Sequence, residues 1–271
     1  MPDRYAVIGN PVAHSKSPAI HAAFARATGQ DVAYAAILAP LDEFRATIKT
    51  FRDAGGRGTN VTLPFKLEAF SLATETTERA RAAQAANTLR FDDHRILADN
   101  TDGAGLIRDI EENLGVGIAG KRVLIMGAGG ATRGVLAPLL ARAPAAVVIA
   151  NRTTGKAVEI ARRFARFGRV EGGGFGELAG HRFDIVVNAT SASLADETPP
   201  LPSGVFAPDA LAYDMMYGVG PTAFLRYAQE AGVARLADGL GMLVEQAAES
   251  FFLWRGVRPE TVPVIALFRD R

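Results

Sequence analysis

The chain has no cysteine among its 271 residues. That excludes disulfides, thiolate metal sites and a cysteine nucleophile. It makes a reducing compartment, the cytoplasm, the expected setting. A strong charge of either sign is also missing: the net charge is +1, with acids and bases interspersed. There is therefore no basic stripe to hold nucleic acid and no acidic tail. No uninterrupted apolar run approaches the roughly 18 residues that a membrane-spanning helix needs. The opening "MPDRYAVIGN" carries Asp3 and lacks the apolar core of a secretory leader. Internal repeats and low-complexity tracts are absent. His14 and His21 have no acidic or cysteine neighbour in the sequence to complete a ligand set, so no metal is expected.

What remains is the make-up of a soluble globular protein, 48% hydrophobic and 22% charged, in a chain long enough for one large domain or two ordinary ones. Short apolar runs alternate with amphipathic stretches. Strands are predicted at 5–9, 32–38 and 58–62, with helices at 18–29 and 41–56 between them. This β-α-β-α-β order favours a mainly parallel sheet. A helix is predicted over 102–115. A second α/β run follows, beginning with a strand, glycine turn and helix start over 121–142 and continuing with strands at 146–152, 183–190 and 210–216, a helix at 154–167 and a long apolar-rich helix over 237–256. The glycine-rich "EGGGFGEL" (171–178) reads as a loop.

Two stretches carry chemistry. "VLIMGAGGATRGVLAPLL" is a buried strand, a glycine turn and a helix start, the context in which backbone amides cradle a pyrophosphate. Thr132 stands where the third glycine of that pattern usually lies. The following strand ends "VVIANRT", without the acid that would bind an NAD ribose. Asn151, Arg152 and Thr153 stand there instead, with Lys156 one turn later. Arg152 and Lys156 would attract a 2′-phosphate, so the cofactor expected is NADP. The other stretch is "NVTLPFK" (60–66), where a strand runs into proline and brings Asn60, Thr62 and Lys66 close in sequence. Ser15 and Ser17 flank Lys16 in "GNPVAHSKSPAIH". By pattern alone Ser17 reads as a helix N-cap with Pro18 at the first helical position, and Asp102 as the cap of the next helix.

In order along the chain, "YAVIGNPVAHSKSPAIH", "NVTLPFK", "AANTL", "DNTDGAGL", "GAGGATRG", "NRT", "NATS", "YDMMY" and "ADGLGMLVEQAA" resemble the shikimate dehydrogenase family. The resemblance implies an α/β fold of two domains. One is an N-terminal α/β substrate domain with a mainly parallel sheet, residues 1–102 plus 242–271. The other is a Rossmann-like NADP-binding domain, residues 103–241, with the active site in a cleft between them. It also implies roles. Lys66 and Asp102 would be catalytic and flank the reacting hydroxyl. Ser15, Ser17 and Tyr217 would hold the substrate carboxylate, and Thr62, Asn87 and Gln246 the ring hydroxyls. Gly127, Ala128, Gly129, Gly130 and Ala131 would cradle the pyrophosphate. Asn151, Arg152, Thr153, Thr154, Gly155 and Lys156 would hold the adenosine end. Met215 and Gly239 would lie near the nicotinamide, with Glu78 a further cofactor-side candidate. The implied reaction is the reversible NADPH-dependent reduction of 3-dehydroshikimate to shikimate, a step of aromatic amino-acid biosynthesis. The partner is that small molecule, and a homodimer is left open. A quinate/shikimate or aminoshikimate dehydrogenase of the same fold, or a non-catalytic NADPH-sensing protein, are the rival readings. "NATSASLADE" (188–197) lacks a glycine usual in the family, and Lys156 stands where arginine is common.

Overall fold

The computed structural model describes residues 1–190, 192 and 197–269. Ser191 and residues 193–196 of the "NATSASLADE" stretch lie outside them. The chain forms two compact units: Met1–Gly105 with Leu243–Arg271, and Leu106–Met242.

The first unit holds β1 (Asp3–Gly9), α1 (Ser17–Thr28), β2 (Val32–Leu38), α2 (Phe44–Asp53), β3 (Gly56–Val61), α3 (Lys66–Leu72), β4 (Glu75–Thr76), α4 (Glu78–Ala83), β5 (Thr88–Asp92) and β6 (Arg95–Asp99). Its sheet runs β2-β1-β3-β5-β6-β4. β1 pairs parallel with β2 and β3, as the β-α-β-α-β order requires. The sequence reading missed the hairpin β5–β6, which pairs antiparallel with β3 through β5. Asp93, at positive φ, lies in the short turn between the two strands, a role asparagine and aspartate tolerate better than other side chains. Ala6, Ile8, Phe44, Ile48, Phe51, Val61, Phe65 and Leu89 pack the core under α2 and α3. Phe44 and Phe65 stack there with centroids 4.7 Å apart.

α1 starts one residue earlier than the proline rule suggests. Lys16 is its cap, without a side-chain capping bond, and Ser17 is the first helical residue. The Ser17 N–H is taken by Ser15 Oγ at 3.2 Å. Ser17 is therefore not the N-cap that the pattern suggested. The helix ends at Gly29, in the left-handed conformation with φ 64°, and its N–H closes on Ala25 and Arg26 carbonyls.

The chain leaves the first unit inside α5 (Asp102–Arg108), which continues as a π-helical turn, Asp109–Asn113. The second unit contains β7 (Arg122–Met126), α6 (Gly130–Leu140), β8 (Ala146–Ala150), α7 (Thr154–Phe164), β9 (Val170–Gly173), β10 (Phe183–Asn188), β11 (Phe206–Asp214), α8 (Ala223–Glu230) and β12 (Arg235–Ala237). Its sheet order is β12-β11-β10-β7-β8-β9, parallel at every pairing. That is the doubly wound dinucleotide-binding order. β7 and β10 are buried almost throughout, as a sheet covered on both faces demands. The stretch 171–178, expected as a loop, supplies β9 and a 3-10 turn, Phe175–Leu178.

The chain returns to the first unit inside α9 (Leu240–Arg255) and ends in a helix not foreseen, α10 (Val262–Arg269). None of the helices among the described residues is long and apolar enough to cross a membrane.

Candidate active site

In the first unit, β3 delivers Asn60 and then turns. Phe65 N–H closes on the Thr62 carbonyl at 3.0 Å, and α3 begins at Lys66. The lysine thus stands at a helix start, where its side chain reaches Asp102: Nζ lies 2.5 Å from Oδ2. Lys66 keeps 22% of its side chain exposed and Asp102 9%. The ammonium is therefore open to a ligand on one side while its counter-ion is largely buried. Asp102 is the first residue of α5, but its carboxylate does not cap that helix. The Asp102 N–H goes to Asn100 Oδ1 at 3.2 Å, and both carboxylate oxygens are taken by side chains. Asn87 Nδ2 donates to the second one, Oδ1, at 2.8 Å. The same nitrogen is 3.3 Å from Gln246 Oε1 on α9. Lys66, Asn87, Asp102 and Gln246 therefore form one hydrogen-bonded group, drawn from α3, the start of β5, α5 and α9.

Thr62 lies at the end of β3, against Gly9 at the end of β1. A Cβ at Gly9 would come within 2.3 Å of Thr62 Cγ2, so glycine is required there. Gly9 opens the segment that leads to Ser15 and Ser17. Thr101 was read in the sequence beside Asn100 and Asp102 but given no role. Its N–H and hydroxyl both donate to Asn87 Oδ1, at 2.8 and 3.2 Å. Ser250 was missed as well. It sits one turn after Gln246 on α9, beside Glu249, and is fully buried; that i,i+4 polar pair was the available signal. His21 lies in the core, stacked on Tyr34 with centroids 4.1 Å apart. Burial holds its pKa down to about 3, so it is neutral. Glu78 is exposed in the first turn of α4, in this first unit.

The second unit carries the other site residues. Gly127 ends β7 with φ 103°, and a Cβ there would stand 3.1 Å from the Ala189 carbonyl. Only glycine makes that turn without strain. Thr132, in place of a third glycine, closes it from within: its hydroxyl donates to the Gly127 carbonyl at 2.8 Å and is fully buried. Gly129 caps α6, and a Cβ on Gly129 or Gly130 would meet nothing within 4 Å. Among the described residues no atom demands glycine at these two positions, whereas a phosphate approaching the helix N-terminus would. After β8, Asn151 Nδ2 donates to the Thr153 carbonyl at 3.0 Å, and Thr153 precedes α7. Arg152, Thr153, Thr154, Gly155 and Lys156 are all exposed, and no carboxylate stands among them. This donor set fits a phosphorylated ribose and lacks the carboxylate that would take a free 2′-hydroxyl.

Met215 and Gly239 are in contact: a Cβ on Gly239 would fall 2.2 Å from the Met215 carbonyl oxygen. The strand end behind Met215 is fixed by Asn188 Nδ2 on Asp214 Oδ2 at 3.2 Å and by the Thr222 hydroxyl on the same oxygen at 2.6 Å. Tyr217 is half-buried after β11, and burial raises its pKa, so the phenol stays protonated at neutral pH.

Three family models match. Residues 7–89 match the shikimate dehydrogenase substrate binding domain. Residues 109–195 match shikimate / quinate 5-dehydrogenase, and residues 239–267 the shikimate 5'-dehydrogenase C-terminal domain. The chain is 64% identical over 270 residues to the shikimate dehydrogenase (NADP(+)) of Nitrosospira multiformis, covering 100% of this chain and 98% of that one. It belongs to the shikimate dehydrogenase family. A relative from Dechloromonas aromatica of the same name is 60% identical, over 100% of this chain and 99% of that one. Among solved structures, the Thermus thermophilus shikimate 5-dehydrogenase in complex with NADP(H) and shikimate is 32% identical, with a TM-score of 0.88 and 99% of each chain covered. An Ael1 enzyme from Pseudomonas putida is 55% identical, with a TM-score of 0.92, covering 98% of this chain and 97% of that one.

Proposed function

We propose that the chain interconverts shikimate and 3-dehydroshikimate reversibly, with NADP as cofactor. The observation that carries this reading is the Lys66–Asp102 pair, joined by Asn87 and Gln246 into one polar group. The Gly127–Ala131 turn and the Asn151–Lys156 segment would hold NADP, whose chemistry when bound would be hydride transfer. The protein's own part is positioning and proton handling. Reducing the C3 carbonyl builds negative charge on oxygen, and the Lys66 ammonium can stabilise that charge and deliver the proton. In the oxidative direction it receives the hydroxyl proton. Asp102 holds Nζ in place through Oδ2 and, through Oδ1, keeps the Asn87 amide turned toward the ring hydroxyls. Ser15, Ser17 and Tyr217 supply directional hydrogen bonds to the substrate carboxylate without a full counter-charge, a weaker grip than an arginine fork.

Initial rates with shikimate and quinate, each with NADP and NAD, test the reading. It expects the shikimate–NADP pair to dominate. A quinate preference would move the chain to the quinate branch of the family, and no nicotinamide reduction with either substrate would overturn the enzymatic reading.

Two variants probe the binding roles. Arg152 is exposed after β8, so its charge is available to a 2′-phosphate. Arg152→Ala should raise the KM for NADP about 10- to 100-fold, the worth of a charge-assisted contact, and leave NAD use unchanged. An unaltered NADP constant would remove Arg152 from the site. Ser17 gives its N–H to Ser15 and is not a cap. Ser17→Ala should therefore lower kcat/KM for shikimate about tenfold or more with the melting temperature little changed. A lower melting temperature with normal kinetics would make the residue structural.

A further inference from the structure

Tyr34 is a lone polar side chain in the apolar strand "VAYAAIL". Its ring lies flat on His21, with an interplanar angle of 6°. Its hydroxyl donates to Asn60 Oδ1 at 2.7 Å, and the Ser17 side chain is its other polar neighbour. An amide nitrogen cannot accept from a phenol, so the Tyr34 hydroxyl holds the oxygen end of Asn60 while the Asn87 carbonyl holds the nitrogen end. Asn60 Nδ2 is turned to Ser250 Oγ at 2.9 Å, Thr88 Oγ1 at 3.2 Å and the Asn87 carbonyl at 3.2 Å. Thr88 Oγ1 also lies 2.7 Å from Ser250 Oγ; with its oxygen accepting from Asn60 and Ser250, Thr88 sends its own proton to Asn87 Oδ1 at 3.0 Å. That oxygen already takes both donors of Thr101. The carbonyl end of Asn87 is thus saturated, and its Nδ2 is left to face Asp102 Oδ1 and Gln246 Oε1.

We propose that Tyr34 is a positioning residue: through Asn60 and Thr88 it reinforces the orientation of the Asn87 amide that the Thr101 N–H and the Asp102 carboxylate also hold, and it joins the Ser17 end of the site to the Lys66–Asp102 end. The hydrogen bonds run in one direction, from Tyr34 to Asn60 to Thr88 to Asn87 to Asp102. Thr88, Thr101 and Ser250 are fully buried and Asn60 and Asn87 nearly so, so no water competes for the intermediate links. Removing the first donor leaves Asn60 Oδ1 without its partner and the amide held from one end only, by the Asn87 carbonyl, which loosens the links that follow. The proposal rests on the functional reading above.

The test is a double-mutant cycle with Tyr34→Phe and Thr88→Val, both close in shape to the native side chains. Tyr34→Phe keeps the stack on His21 and removes only the hydroxyl. Each single variant should lose about 3- to 10-fold in kcat/KM for shikimate, the worth of one hydrogen bond, with KM for NADP unchanged. If both act through one relay, the double variant should be no worse than the poorer single. Losses that multiply would show two independent structural roles and overturn the relay, as would a Tyr34→Phe enzyme with full efficiency. The wild-type rate separates the two claims. An active wild type with additive variants rejects the relay alone, and a wild type inactive on shikimate rejects the functional reading and the relay with it.

Discussion

Lys66→Met should lower turnover with shikimate about 10²- to 10⁴-fold, the usual worth of a positioned general acid–base group. Methionine keeps most of the stem's length and apolar packing and removes the charge that sits 2.5 Å from Asp102. The loss should fall almost equally on kcat and kcat/KM, because the charge on the reacting oxygen exists only in the transition state. NADP binding, measured by titration, should be retained, since the Gly127–Ala131 turn and Arg152 belong to the second unit. Steady-state kinetics decide the matter. Turnover within a few-fold of wild type would show that Lys66 is no more than the partner of a buried carboxylate, and the proposed mechanism would fall with it.

The second large effect is on stability. Asp99 is fully buried at the end of β6, and its charge is met chiefly by Arg79. Arg79 Nε donates to Oδ1 at 3.0 Å and Nη2 to Oδ2, while Nη1 reaches Glu249 Oε1 on α9 at 2.8 Å. Arg258 closes the other side, bonding Glu249 Oε2 and standing 3.3 Å from Glu245 Oε2. Arg79→Met strands the Asp99 charge, and removing one partner of a buried pair costs about 3–5 kcal/mol. The melting temperature of the first unit should fall on the order of 10 °C at pH 7. The pH dependence follows from Glu249. Burial would raise its pKa, but hydrogen bonds and charge from Arg79 and Arg258 outweigh burial and hold it below the ordinary 4.5. A carboxyl depressed in the folded state stabilises fully above that value and ceases to do so as pH falls through the folded pKa. The wild type should therefore lose stability below about pH 4.5, and the gap between wild type and variant should narrow there. Thermal melts at pH 7 and below pH 4 measure both. An unchanged melt at pH 7 would mean that the remaining donors to Asp99, Thr77 and Asn100 N–H, carry its charge unaided.

The sequence disclosed elements whose residues follow local rules. β2 has the predicted bounds, and the glycine turn before α6 stands where strand and helix signals meet. β9 was hidden because its composition answers to a neighbour rather than to strand propensity. A Cβ on Gly172 would come within 2.3 Å of the Ala157 carbonyl, so α7 presses on the strand and forces glycines into it. The β5–β6 hairpin was missed because its turn residues, Asp93 and His94, are flanked by charges that blur the alternation. At the site, residues with a motif were legible, and residues whose meaning depends on distant partners were not. Tyr34 and Ser250 each look like a single polar interruption, 26 residues before and 190 residues after the Asn60 that gives them a role.

The route of the chain has a consequence for how the protein is made. The second unit is one uninterrupted segment, whereas the first waits for Leu243–Arg271. At about 5–20 residues per second, translation spends on the order of ten seconds on the intervening segment. During that interval the nascent β1–β6 sheet has neither Gln246 nor Ser250 for its polar ends, nor Phe251 for its aromatic face. The nucleotide-binding segment can close on the ribosome, but the segment that came first must wait, half-finished, for the last helices. A chain arrested short of α9 is thus a client for chaperones rather than a weak enzyme.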